Sequence, residues 1–207
     1  MGTDDRKPVL GITGGVGAGK STAAGALADL GCAIVDADVV GHEIIQTPPV
    51  RRALVARWGE DICDGEGRVD RRAVGGIVFA DAAELAFLTA QMHPPMGARI
   101  GKRIAAARRR DDVRGVVLDA AVLFEAGWDA LCTHTVFVSA PRGQRLERAA
   151  GRGWDAAAVA RREKMQFSLD TKSRMCDYTV ENSSSVSCLC KQVRTLFREI
   201  LHSVERS

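Results

Sequence analysis

Gly14-Gly-Val-Gly-Ala-Gly-Lys-Ser21 is a complete G-x-x-x-x-G-K-[ST] phosphate-binding loop, and its flanks decide the fold. An apolar run, Pro8-Val-Leu-Gly-Ile-Thr13, precedes it, and a helix-forming run, Ser21-Thr-Ala-Ala-Gly-Ala-Leu-Ala-Asp-Leu30, follows. In strand-loop-helix context the glycines let successive backbone N–H groups turn toward phosphate oxygens, and the helix presents its positive end to the same anion. Gly15, Val16, Gly17, Ala18, Gly19 and Thr22 supply the cradle, Lys20 reaches the β and γ phosphates, and Ser21 can ligate Mg²⁺. The loop therefore predicts a bound nucleoside triphosphate, without saying where its phosphate goes.

Outward from the loop, four further β-like runs recur: Cys32–Asp36, Gly115–Asp119, His134–Ser139 and Asp177–Glu181. Helix-length stretches separate them. The pattern predicts an α/β fold, doubly wound, with a mostly parallel five-stranded sheet covered on both faces and ligands at the carboxyl ends of the strands. Two gaps exceed a simple crossover. Residues 39–114 read as a helical insertion, with helices over Val50–Trp58, Arg71–Phe79 and Ala82–Met92, a turn at Asp64–Gly67, and a helix end near His93-Pro94-Pro95. Residues 141–175 form an arginine-rich segment, and a last helix runs from Val186 to about Val204.

A chain of 207 residues, 46% hydrophobic and 27% charged, is long enough for one buried core with an added subdomain. A net charge of +3 is too small to demand nucleic acid, and the basic stretch from Arg99 to Arg114 reads as a solvated helix face or an anionic-substrate contact. No segment has the length of a membrane span, and the polar start Met1–Pro8 has no secretory core, so a cytoplasmic protein is expected. The six cysteines lack a paired C-x-x-C grid and the four histidines lack ligand spacing, which argues for free thiols and against structural zinc.

Phosphoryl transfer asks for an acceptor-orienting carboxylate, a metal and cationic groups to meet the developing charge. Asp36-Ala-Asp38 follows the second strand directly; Asp38 is the candidate base, with a helix cap as the alternative. Asp119 and Glu125 are candidates to support the metal or the substrate, or are ordinary caps and ion-pair partners. His93 is either a substrate contact or a turn residue. Trp58, Trp128 and Trp154 read as packing. Arg148 and Arg152 lie at i, i+4 on one helix face, as a closing lid would need.

Together these residues resemble the dephospho-coenzyme A kinase family. The resemblance is carried by Gly11–Thr22, Val35-Asp-Ala-Asp38, Asp64-Gly-Glu-Gly-Arg-Val-Asp-Arg-Arg72, Ile77-Val-Phe-Ala80, His93-Pro94, Val122-Leu-Phe-Glu125, Arg148 with Arg152, Gln166, and Asp177 with Asn182, in the family's order. It implies a P-loop kinase that uses ATP and Mg²⁺ to phosphorylate the ribose 3′-hydroxyl of dephospho-CoA. Asp38, Lys20 and Arg148 would be catalytic. Arg152 and Asn182 would join the loop in binding ATP, while His93, Glu125 and Arg162 would join Asp38 in binding the acceptor. It also implies a core of 8–38, 115–140 and 176–204, a CoA-binding domain at 39–114 and a lid at 141–175. No nucleic-acid or membrane partner is expected, and the chain is expected to be a monomer or weak homo-oligomer. The chain departs from the family at Ala121, where proline is common, in a lid one residue shorter after Gly153, and at Ser183–Ser185, where glycine is often found.

Overall fold

The computed structural model describes residues 7–205, so most of the polar start, Met1 to Arg6, lies outside the described residues. Within them, five strands and nine α-helices alternate. The strands are β1 (Val9–Thr13), β2 (Cys32–Asp36), β3 (Gly115–Asp119), β4 (His134–Ser139) and β5 (Tyr178–Glu181). All pair in parallel, in the order β2-β3-β1-β4-β5. Parallel strands covered by helices on both faces need apolar side chains throughout, and β1 is buried at every position. The expected strands are therefore all present, with only Asp177 dropping out. Its carboxylate instead accepts the Thr135 N–H at 2.7 Å and hydroxyl at 2.9 Å, which anchors β4.

The chain forms two compact units, one of residues up to Asp36 together with Gly101 onward, the other Ala37–Ile100. The first holds the sheet. Its core joins Leu10, Ile12, Val117, Val136 and Val138 to Leu27 of α1 (Lys20–Ala28) and to Leu189, Val193, Phe197 and Ile200 of α9 (Val186–Glu205). Those last positions recur at helical spacing and form one apolar stripe along the helix. Each buried Leu, Ile, Val or Phe contributes roughly 1.5–3 kcal/mol. Three more helices, α6 (Arg142–Ala150), α7 (Ala156–Lys164) and α8 (Leu169–Met175), occupy the arginine-rich segment.

The second unit contains α2 (Ala37–Ile45), α3 (Pro48–Trp58), α4 (Arg71–Val78) and most of α5 (Ala82–Arg108). The Asp64–Arg72 motif has a folding explanation. Asp64 Oδ1 accepts the N–H groups of Glu66 (3.0 Å) and Arg68 (2.9 Å), while Asp70 caps α4 by accepting from Arg72 N–H. These bonds, that from Arg68 first, hold the Asp64 carboxyl below the usual carboxylate range. Glu84 ties α5 to α3, accepting from Arg57 Nη2 at 2.6 Å and Trp58 Nε1 at 2.7 Å.

The helix expected to end near His93-Pro94-Pro95 does not end there. It continues to Arg108 with both prolines inside it. An interior proline costs about 3 kcal/mol, and Met92, Met96, Ile100, Ile104 and Ala107 supply an uninterrupted buried stripe across the prolines that offsets the penalty. No helix of the described residues is long and apolar enough to cross a membrane. All six cysteines are unpaired; burial pushes the Cys32 and Cys132 thiols up to about 12 and Cys176 to about 11, which keeps them protonated.

Candidate active site

The loop follows β1, the middle strand, where the chain turns to one side of the sheet for β2 and β3 and to the other for β4 and β5. This is the topological switch point at which open α/β sheets bind ligands. Gly19 caps α1 without a side-chain hydrogen bond, so the first-turn N–H groups keep their anion-binding capacity. Lys20 Nζ donates to the carbonyls of Gly14 (3.0 Å) and Gly15 (3.2 Å), which holds the ammonium across the loop. Ser21 is exposed on the first turn, available to a metal, and Thr22 follows it half-buried.

Two side chains brace the middle of the loop. Asn182, 4% exposed, donates Nδ2 to Ala18 O at 2.8 Å. Arg145, 5% exposed, donates to Val16 O at 3.4 Å and to the Glu163 carboxylate. A Cβ on Gly19 would come within 2.2 Å of Asn182 Nδ2, and one on Gly17 within 2.2 Å of the Arg145 carbonyl oxygen. Both glycines have positive φ, 73° at Gly17 and 98° at Gly19. The loop's glycines therefore admit neighbouring groups as well as phosphate. Gly17→Ala is expected to lower unfolding stability by about 2–4 kcal/mol, because left-handed backbone and a backbone clash add; a denaturation midpoint measures it.

Asn182 also links the loop to the arginine-rich segment. Its carbonyl accepts Arg148 Nη2 at 3.2 Å, and the same nitrogen donates to Gln144 Oε1 at 2.9 Å. Arg148 Nη1 and Asn182 Oδ1 are buried with no hydrogen-bond partner among the described residues. A donor and an acceptor beside a nucleotide loop, both unsatisfied, are what a bound base or phosphate would complete. A cavity of about 250 Å³, lined in part by Gly15, Ser139, Arg145, Asp170 and Ser173, opens against the loop.

The expected site residues divide between the units. The loop, Glu125, Arg148, Arg152, Arg162 and Asn182 belong to the first, Asp38 and His93 to the second. Asp38 is exposed in the first turn of α2, and His93 is half-buried in the middle of α5. Arg152 is exposed just beyond α6. Arg162 lies 3.9 Å over the Trp154 ring. Asp36 and Asp119 share one register level at the carboxyl ends of β2 and β3. Glu125 does not stand in solvent. It pairs with Lys172 at 2.9 Å and accepts the Phe167 N–H at 2.7 Å. Nothing in the sequence singles out Lys172, or Arg145 among the arginines of the 141–175 segment. Their burial is set by partners far off in the chain, and the one local hint is that α6 and α8 each need an inward-facing position.

The profile of one family, dephospho-CoA kinase, matches residues 8–187. The chain is 37% identical over 191 residues to the dephospho-CoA kinase of Thermosynechococcus vestitus, covering 91% of this chain and 92% of the relative. It is 32% identical over 206 residues to that of Chlorobaculum tepidum, covering 97% and 99%. A solved dephospho-CoA kinase from Campylobacter jejuni shares the fold, with a TM-score of 0.70, 21% identity, and coverage of 95% and 98%. With the P-loop kinase fold and the braced phosphate loop described above, these matches settle the family: the chain belongs to the dephospho-CoA kinases.

Proposed function

We propose that the chain transfers the γ-phosphate of ATP to the ribose 3′-hydroxyl of dephospho-CoA, releasing ADP and CoA in the last step of coenzyme A synthesis. The observation that carries this is a braced phosphate loop at the switch point of a dephospho-CoA kinase family chain. The acceptor oxygen forms its bond to the γ-phosphorus as the bridge to the β-phosphate breaks, with the two oxygens in line. Lys20 and the loop N–H groups hold the β and γ phosphates. Arg148 offers its unpaired Nη1 to ATP, and Asn182 its unpaired Oδ1. Arg152 and Arg162 add positive charge from the 141–175 segment, which acts as a lid. Asp38 orients the 3′-hydroxyl and takes its proton, while His93 and Glu125 help to bind the acceptor. Residues 39–114 are the acceptor-binding part.

The donor set fits Mg²⁺, a hard cation that keeps several waters and is held through one or two protein oxygens plus phosphates. Ser21 offers a hydroxyl, Asp36 and Asp119 offer carboxylates at adjacent strand ends, and the described residues contain no dedicated metal cluster. Ser21 would hold the ion, which supplies charge neutralisation on the phosphates. We also propose a cytoplasmic setting, which the six unpaired thiols support.

ADP release measured with dephospho-CoA, a nucleoside and a sugar acid as acceptors tests the reading. Dephospho-CoA is expected to give by far the highest kcat/KM, with the new phosphate on the 3′-oxygen by ³¹P NMR. A higher kcat/KM for either of the other acceptors would overturn the assignment.

A further inference from the structure

Lys172, on α8, is 0% exposed. An ammonium has three N–H donors, and Nζ meets three acceptors: Ala121 O at 2.5 Å, Gln166 Oε1 at 2.8 Å and Glu125 Oε1 at 2.9 Å. Ala121 and Glu125 lie on the loop after β3, and Gln166 lies between α7 and α8. Ala121 O also accepts the Thr13 hydroxyl at 3.3 Å, from the residue just before the phosphate loop. Two segments thus meet at one buried nitrogen, and Thr13 is joined to them through Ala121 O. The two oxygens of Glu125 are treated unequally. Oε1 takes Lys172 and the Phe167 N–H, whereas Oε2 is buried with no partner among the described residues. A carboxylate oxygen has only acceptor capacity, and a buried one without a donor is costly, so Oε2 is set for a hydrogen that the described residues do not supply.

We infer that Lys172 is a positioning residue for the transfer: it locks Glu125 through Oε1, leaves Oε2 for a hydrogen of the bound acceptor, and ties that lock to the lid stem at Gln166. This rests on the proposed kinase activity and on Glu125 as an acceptor-binding residue. Lysine suits the place because three acceptors converge on one nitrogen; an arginine fork would spread its donors over three nitrogens.

Steady-state kinetics of the parent, Glu125→Gln, Lys172→Met and the double variant test the inference. Lys172→Met is expected to lower kcat/KM for dephospho-CoA by about 30-fold in the parent but by no more than about threefold beside Glu125→Gln, where the charge it locks is gone. ATP affinity, titrated without acceptor, is expected to stay within about threefold of the parent, a split that a purely structural loss would not produce. If Lys172→Met alone is too unstable to assay, the double variant is expected to recover folding, because it removes both members of the buried pair, and Lys172→Gln is carried through the same cycle. Equal losses in both backgrounds, or parent kinetics in Glu125→Gln, would overturn the positioning role. A parent that turns over no dephospho-CoA would instead overturn the proposed function, so the two failures are read from different proteins.

Discussion

Asp38→Asn is expected to lower kcat for dephospho-CoA by about 10²- to 10⁴-fold, the range for a positioned proton acceptor, with ATP affinity near the parent value. The substitution keeps the side chain's shape and removes its charge. Asp38 is exposed in the first turn of α2, where a carboxylate stabilises the helix by only about 0.3–1 kcal/mol. A purely helix-stabilising aspartate would therefore cost a small shift in melting temperature and nothing in rate. The two roles separate cleanly when kcat, ATP binding and thermal unfolding are measured on one preparation. In a loose transition state proton removal comes late, so part of the loss would reflect orientation of the hydroxyl. Turnover near the parent rate in a folded, ATP-binding Asp38→Asn protein would remove it from the chemistry.

Lys20→Ala is expected to reduce kcat/KM for ATP by about 10³-fold, at the upper end of what one electrostatic donor to a developing charge provides. Lys20 opens α1, and a cation at a helix N-terminus opposes the helix dipole, so its position is unfavourable for the helix alone. Its bonds to the Gly14 and Gly15 carbonyls act in the opposite direction, so removal is expected to change unfolding stability by no more than about 2 kcal/mol. Lys20→Arg should not restore the rate, because Nζ already fits between the Gly14 and Gly15 carbonyls and a planar fork is larger. Initial rates over a range of ATP concentrations decide it: a loss below about tenfold would mean that the loop N–H groups carry the phosphates without the lysine.

Much of this was legible in the chain itself. Strand runs such as Val9–Ile12 and Val136–Val138 are continuously apolar because both sheet faces are covered, and that pattern is local. The phosphate loop is equally local, since a glycine at each tight position and a lysine at its end are read directly from spacing. The prolines in α5 misled because their penalty is local, whereas the buried stripe that overcomes it is a property of packing. Glu125 was legible as a candidate and, alternatively, as an ion-pair partner, which it is; that its partner is the buried Lys172 was not legible.

The α/β class, the five strands, the nucleotide loop and the family can all be read from the chain, because each depends on short-range patterns of apolarity, glycine and charge. The strand order, the bracing of the loop by Arg145 and Asn182, and the burial of Lys172 against acceptors as far as 51 positions away emerge only from long-range packing. Burying a charged side chain is costly unless acceptors meet it, and for Lys172 the Ala121 carbonyl and the Glu125 carboxylate are brought to it by the fold rather than by its neighbours in the chain.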